Sequence, residues 1–454
     1  MGVCMKIKNY KWILIGLITI LLIFLSINNY GIWTDETYTL NMIKHSYLDI
    51  FIIENTLDGT TFYITLLKLF LALLGITSPK NIVVFSRIFS IIPTVLLMVV
   101  GSYKIEKMYD QKRGLLFVVM MFVSNIIYYS IEIRTYSWVI LFVTLAYIEF
   151  LNIYKSDDKW YGFVIYSSLA FWFHKTAVIP LGVLYIFLFF KVLKTDLKKF
   201  FYYLFVTIVL CVPWVIYSYL MNVSKDLYVS GAIGSVFTLN KFKETIVFPF
   251  DTGTLYLSLG FCTFVGAIVI LYLYKNYKDL DYSKLAGVVT LPLTCLCLML
   301  IAYSSNHDYY PKYMLPSLGV LYTSILVMVE EKKFWVYFSI FFVINAITYV
   351  NVNNHENIAK IEFARFEKYF TENLNNNEHM IFNFDYGQYI VEYYELEGLK
   401  DNSKEWSNDL ILKDNSVYFI QTERLNSYFK DTKYEVIDEF NISNDLFSLC
   451  KIIK

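Results

Sequence analysis

Four short clusters of ionisable and aromatic residues interrupt a sequence that is otherwise strongly apolar. The first is Gly31-Ile32-Trp33-Thr34-Asp35-Glu36-Thr37-Tyr38-Thr39-Leu40. Two adjacent carboxylates follow a tryptophan, a residue type that favours the membrane–water interface. A carboxylate held there can act as general base toward a hydroxyl or an amine. The same segment also suits a plain helix start, because Thr34 and Asp35 are both good N-caps. The second cluster is Glu132, Arg134 and Tyr136, and the third is His174-Lys175. The fourth is His307, Asp308, Lys312 and Tyr313, ahead of Pro316. Arg134, Lys175 and Lys312, together with Arg87, are the cations that can ring an anionic phosphate. Taken singly, each of them suits snorkelling to lipid headgroups equally well.

Other chemistries find less support. The five histidines (His45, His174, His307, His355, His379) are dispersed, without metal-ligand spacing. Cys295 and Cys297 stand two apart on a helix, so they face different directions and form neither an ordinary disulfide nor a tetrahedral site alone. Cys450 is the only cysteine of the C-terminal tail, which therefore holds no internal disulfide. There is no Gly-rich phosphate loop and no nucleophile elbow.

What must position these residues is a membrane. Hydrophobic residues make up 57% of the 454 positions and charged residues 17%, against about 25% charged in a soluble domain. The net charge is zero, so no basic field points to nucleic acid. The apolar residues fall into runs near the roughly 20 residues that cross a bilayer core. Expected spans are Trp12–Asn28, Ile82–Tyr103, Leu115–Ser130, Ser137–Ile153, Tyr161–Phe173 and Ala177–Phe190, then Phe200–Met221, Thr254–Tyr274, Leu285–Tyr303, Met314–Val329 and Phe334–Val350. That is about eleven helices, two of them short. The first run follows Lys6, Lys8 and Lys11 and ends in Asn28-Asn29-Tyr30, with no small-residue cleavage site, so it reads as an uncleaved helix.

Basic residues alternate between loops. Lys104, Lys107, Lys112 and Arg113 share one side with Lys155 and Lys159, Lys191 to Lys199, Lys275 to Lys284, and Lys332 and Lys333. Cytoplasmic loops carry such an excess. With the N-terminus inside, all four clusters fall in outer loops close to the bilayer surface, where ionisable groups near membrane depth are costly and imply function. The first outer loop, residues 30–81, contains an apolar stretch, Phe62–Leu74, that carries Lys68 and is expected to lie in the interface. The tail beyond residue 350 is richer in Asn, Asp, Glu and Lys. Strand-like runs at His379–Asp385, Ser416–Thr422, Tyr434–Phe440 and Phe447–Ile453, with helical ones at Ile358–Leu374 and Gln388–Glu397, predict a small α/β domain. The expected organisation is a transmembrane domain over residues 1–350 and an extracytoplasmic domain over residues 351–454.

In order and spacing, the clusters resemble the GT-C superfamily of membrane glycosyltransferases, in the branch of dolichyl-phosphate-mannose protein mannosyltransferases and bacterial aminoarabinose transferases of lipid A. That branch opens its first outer loop with an Asp-Glu pair in an aromatic, Thr-rich setting, matched by Trp33-Thr34-Asp35-Glu36-Thr37-Tyr38. Its proline-containing segment is replaced here by Asp58-Gly59-Thr60-Thr61-Phe62-Tyr63. Gly75 and Ser86-Arg87-Ile88 follow, then Glu132-Ile133-Arg134-Thr135-Tyr136 for an acidic-x-Arg-x-Tyr element. His174 matches a His at the tip of the fifth span, and Lys312-Tyr313 before Pro316 an Arg-Tyr element.

The resemblance implies a GT-C fold and transfer of a sugar from a polyprenyl-phosphate-linked donor to a glycan, lipid or protein acceptor at the outer face of a cell membrane. It implies Asp35 as base, with Glu36 and Glu132 as further acidic candidates, inversion at the anomeric carbon, and Arg87, Arg134, Lys175 and Lys312 on the donor phosphate. Tyr136, His174, His307, Asp308 and Tyr313 are further site candidates. A divalent cation is left open as a cofactor. A lipid-linked oligosaccharide flippase and a polysaccharide polymerase or ligase are the competing classes; transporters, however, tend to carry charges at mid-membrane and paired repeats, and the chain has neither.

Overall fold

The computed structural model describes residues 2–28, 32, 34–57, 60–123, 125–156, 160–223, 239–305, 310–373, 379–382, 403–405, 416–422, 425, 433–442 and 445–452. The helices are α1 (Gly2–Asn28), α2 (Thr34–Met42), α3 (Tyr47–Leu57), α4 (Thr61–Leu73), α5 (Pro79–Leu96), α6 (Ser102–Met108), α7 (Gln111–Met120), α8 (Asn125–Ile131) and α9 (Tyr136–Ser156). They continue with α10 (Tyr161–Phe173), α11 (Val178–Val192), α12 (Leu197–Val223), α13 (Leu239–Val247), α14 (Leu255–Asn276), α15 (Tyr282–Ser305), α16 (Leu315–Met328) and α17 (Phe334–Asn373). Five strands follow: β1 (His379–Phe382), β2 (Ser403–Glu405), β3 (Ser416–Gln421), β4 (Tyr434–Ile442) and β5 (Asp445–Ile452).

Every expected span coincides with a helical stretch, but not all of them meet the length needed to cross a bilayer. Among the described residues eight helices are long and apolar enough, or nine if α7 and α8, bent by 67° at their break, count as one. The other two, α10 and α16, have 13 and 14 residues. The break within Leu115–Ser130 falls where the polar pair Ser124-Asn125 interrupts the apolar run, a signal that the expected single span passes over. The interfacial stretch expected at Phe62–Leu74 is the helix α4.

The chain divides into two compact units: residues 1–23, 47–65 and 90–351, and residues 24–46, 66–89 and 352–454. The first is a helical bundle with α9 at its centre, against which α10, α11, α15 and α16 pack. Burial follows that order. The span containing α9 is 78% buried, whereas those of α12, α14 and α17 are each 22% buried and turn apolar residues such as Phe205, Ile270 and Phe342 outward. A helix that is apolar all round is either a core helix or one that faces lipid.

All 14 residues of α16 are buried. Its close approach to α9 needs Gly319, since a methyl there would collide with the Thr144 hydroxyl. Small residues bring helices together this way in membranes. Hydrogen bonds cross the bundle between its helices: Tyr147 donates to the Ser283 carbonyl at 3.0 Å, Ser317 to Thr294 at 2.9 Å, and Tyr322 to the Pro249 carbonyl at 2.6 Å. At the basic end of the bundle, cations bond helix-terminal carbonyls, Lys155 that of Met108 at 2.9 Å and Arg113 that of Val329 at 3.0 Å. Positive charge there complements the helix C-termini.

The second unit contains a five-stranded sheet in the order β2-β1-β3-β5-β4, with β1 parallel to β2 and β3, and β5 antiparallel to β3 and β4. The four expected strands are present; Ser403–Glu405, three polar residues without alternation, is the fifth. Ser448, Leu449 and Cys450 are all fully buried. Successive residues on a strand face opposite sides, so both faces of β5 are covered. The helix expected at Ile358–Leu374 is the end of α17, a single helix of 40 residues. Its Arg365 lies 3.6 Å from Asp438 and over the Phe440 ring at 4.7 Å, tying α17 to β4. The expected helix Gln388–Glu397 lies outside the described residues.

Candidate active site

Asp35 and Glu36 occupy the first turn of α2. Carboxylates are stabilised there by the exposed N–H groups and the helix dipole, which accounts for the local start. The two acids are not equivalent. Asp35 is half-buried, and its main-chain carbonyl accepts from the Thr39 hydroxyl at 3.0 Å. Glu36 is buried and its Oε2 lies 3.4 Å from Nη2 of Arg87 on α5; the side chains of Glu36 and Arg87 are 2% and 1% exposed. A second guanidinium nitrogen of Arg87 reaches the Ser26 carbonyl at 3.4 Å. Arg87 therefore joins the last turn of α1 to the first turn of α2, within one unit.

In the helical bundle the connection between α8 and α9 is a tight turn, with the Arg134 N–H donating to the Glu132 carbonyl at 2.7 Å. Glu132, Arg134, Thr135 and Tyr136 are all buried. The Thr135 hydroxyl donates to the Phe173 carbonyl at 3.0 Å, fastening this turn to the end of α10. His174 leaves α10 in an extended conformation and is buried. Its Nδ1 accepts from the Thr176 N–H at 3.2 Å and lies 2.7 Å from the Thr176 hydroxyl. In a neutral ring that puts the proton on Nε2.

Three of the expected residues meet in an aromatic row. The His174 ring lies 5.9 Å from that of Tyr136 and 6.2 Å from that of Tyr313. Two members were not expected: Tyr129, 5.4 Å from Tyr136, and Tyr310, 6.1 Å from Tyr313. The signal for Tyr129 was the doublet Tyr128-Tyr129 just ahead of the Glu132 element. Lys312 is half-buried, with its ammonium 5.4 Å from the Tyr310 ring centre. Lys175 is exposed. His307 and Asp308 lie outside the described residues. Among the described residues no three His, Cys, Asp or Glu side chains gather to hold a metal ion.

No protein-family model matches the chain. No curated protein matches its sequence. Solved structures do match its fold. ArnT from Cupriavidus metallidurans in the apo state superposes with a TM-score of 0.59 at 9% identity, covering 98% of each chain. The same protein bound to undecaprenyl phosphate gives 0.58, with equal identity and coverage. The oligosaccharyltransferase of Archaeoglobus fulgidus in the apo form gives 0.48 at 11% identity, over 88% of this chain and 65% of that one. The match to ArnT, over 98% of the chain, gives the chain the GT-C fold.

Proposed function

We propose that the chain is a membrane glycosyltransferase that moves a sugar from a polyprenyl-phosphate-linked donor to a glycan, lipid or protein acceptor at the outer face of a cell membrane. The observation that carries this reading is the likeness of fold, over 98% of both chains, to a transferase that has been solved with undecaprenyl phosphate bound. The Asp-Glu pair that directly follows the first span supports it.

In this reading the acceptor hydroxyl or amine gives its proton to Asp35 while its heteroatom attacks the anomeric carbon. The bond from that carbon to the phosphate oxygen breaks on the opposite face, its electron pair leaves with the lipid phosphate, and the configuration inverts. Arg134, Lys312 and Lys175 offset the growing negative charge, whereas Arg87, expected with them on the donor phosphate, is assigned instead to its ion pair with Glu36; preorganised cations aimed at developing charge are a large source of catalysis. Glu36 works through Arg87, holding the guanidinium in place between α1 and α2. Glu132 orients the acceptor, and Tyr136, His174 and Tyr313 supply an aromatic wall for the sugar. The C-terminal sheet and the site face the extracytoplasmic side.

The test is mass spectrometry of cell-surface glycans, lipids and proteins with and without the chain, combined with transfer from a labelled polyprenyl-phosphate sugar pool in isolated membranes. A sugar present only when the chain is intact, together with consumption of the labelled pool, supports the reading. An unchanged surface with translocation of the lipid-linked sugar across the bilayer would favour the flippase instead.

A further inference from the structure

The basic end of the helical bundle contains a cavity of about 300 Å³ where the ends of five helices meet. Arg113 enters from α7, Lys275 from α14, Lys284 from α15, and Lys333 and Tyr337 from the start of α17 and the turn before it. Four cations face one lining carboxylate, Glu330. Three of the cations have partners: Lys275 bonds Glu330 at 2.5 Å, Arg113 bonds Asp110 at 2.5 Å, and Lys284 lies 3.6 Å from Asp281. Lys333 makes no ion pair among the described residues. With Asp110 and Asp281 counted, four positive charges still stand against three negative ones. Every one of these ion pairs is at least partly exposed, and exposed pairs are weak, so an arriving anion can compete for the cations.

The other wall is aliphatic. Leu271, Met328 and Val329 line it, and Leu271 is half exposed on α14, whose outward face is otherwise apolar. Cations with aromatic hydroxyls at a helix end, beside an aliphatic wall continuous with a lipid-facing helix, match a molecule with an anionic head and an acyl chain. A soluble phosphate has no use for the aliphatic wall. Basic pockets between spans bind anionic headgroups through the same combination.

We propose that this cavity is a binding site for an anionic phospholipid of the leaflet on the basic side of the bundle. The phosphodiester lies among Lys275, Lys284 and Lys333, and one acyl chain runs down past Leu271. The site is separate from the acidic and aromatic candidates above and does not depend on the transferase reading.

The test uses the full-length chain purified in detergent, with native mass spectrometry of retained dioleoyl phosphatidylglycerol or dioleoyl phosphatidylcholine. The intact chain should retain phosphatidylglycerol in clear preference. Lys284→Gln with Lys333→Gln should weaken that retention about thirtyfold, equivalent to about 1 kcal/mol for each cation. Lys194→Gln with Lys198→Gln removes the same charge from exposed positions on the same basic side, away from the cavity lining, and should leave retention within about twofold. Lys284→Arg with Lys333→Arg keeps the charge and should retain the lipid, which separates lost binding from lost folding. Equal retention of the two lipids, equal loss in the cavity and control variants, loss in the Arg variant, or displacement by millimolar inorganic phosphate would each overturn the proposal.

Discussion

Asp35 and Glu36 are neighbours in sequence, and their substitutions should fail in opposite ways. Asp35→Asn removes a proton acceptor from a half-buried position. General-base catalysis contributes typically 10²–10⁴-fold, so sugar transfer should fall by at least about a hundredfold, roughly 3 kcal/mol of barrier. Folding should change by no more than about 1 kcal/mol, the usual scale of a favourable helix-terminal charge. Glu36→Gln instead removes the carboxylate 3.4 Å from Arg87, in a pair whose side chains are 2% and 1% exposed. Breaking a buried pair from one side costs about 3–5 kcal/mol, a large part of a typical stability of about 5–15 kcal/mol. Its thermal unfolding temperature should drop clearly, while the folded fraction keeps more turnover than Asp35→Asn. The double variant Glu36→Gln/Arg87→Gln should lose less stability than the two single losses combined, because the partners are coupled. The assays are sugar transfer at matched folded protein, donor binding measured separately, and thermal unfolding in detergent. An Asp35→Asn protein with near-normal transfer, or a Glu36→Gln protein that unfolds like the parent but is inactive, would refute the division of roles.

Four further outcomes are expected. Single Gln variants of Arg134, Lys175 and Lys312 should weaken donor saturation, by about 1.5–3 kcal/mol for a buried charge-assisted contact such as that of Arg134; exposed Lys175 should give the smallest effect, and three unchanged variants would remove these cations from the donor site. Gly319→Ala should destabilise the bundle by about 1–3 kcal/mol through overpacking, and Thr144→Ala in the same chain should restore most of the loss, as read by thermal unfolding. Burial pushes the Cys450 thiol up to about 12 from an ordinary 9.0. Below about pH 9 both folded and unfolded thiols keep their proton; above it only the unfolded one ionises, so this group makes stability fall between pH 9 and about 12, and iodoacetamide should alkylate Cys450 at pH 8 only after unfolding. A reporter active only in the cytoplasm, fused after Lys454, should be silent; a strong signal would reverse the assigned orientation.

The bundle was largely legible because long apolar runs leave a polytopic chain few alternatives. What was not legible depended on local geometry that composition does not carry. Ser124-Asn125 marks the place of the break between α7 and α8 but not its 67° angle, and the apolar run that ends near residue 350 does not announce that its helix continues to Asn373. At the site, residue types pointed to Tyr136, His174 and Tyr313, which stand at the start of α9, just after α10 and just before α16 yet form one aromatic row. The resemblance singled out Asp35 as the base, but the physical difference between the two acids was not legible, since it rests on Arg87, more than fifty positions from Glu36 in the chain and 3.4 Å from it in space. Tyr129 and Tyr310 went unnoticed among 40 tyrosines, where an aromatic residue by itself carries little information.

The burial of α16 on every side bears on how the chain is made. Its 14 residues are largely apolar, but at 1.5 Å per residue they are too few to cross a bilayer core of roughly 30 Å unaided. It leaves the ribosome after α9 and α15 have been synthesised, and those two helices carry the groove that Thr144 and Thr294 line for it. Insertion of α16 is therefore a docking event between helices as much as a transfer from water to lipid. Substitutions in that groove would appear first as failed biogenesis, with the late spans left out of the bilayer, before any effect on chemistry could be measured.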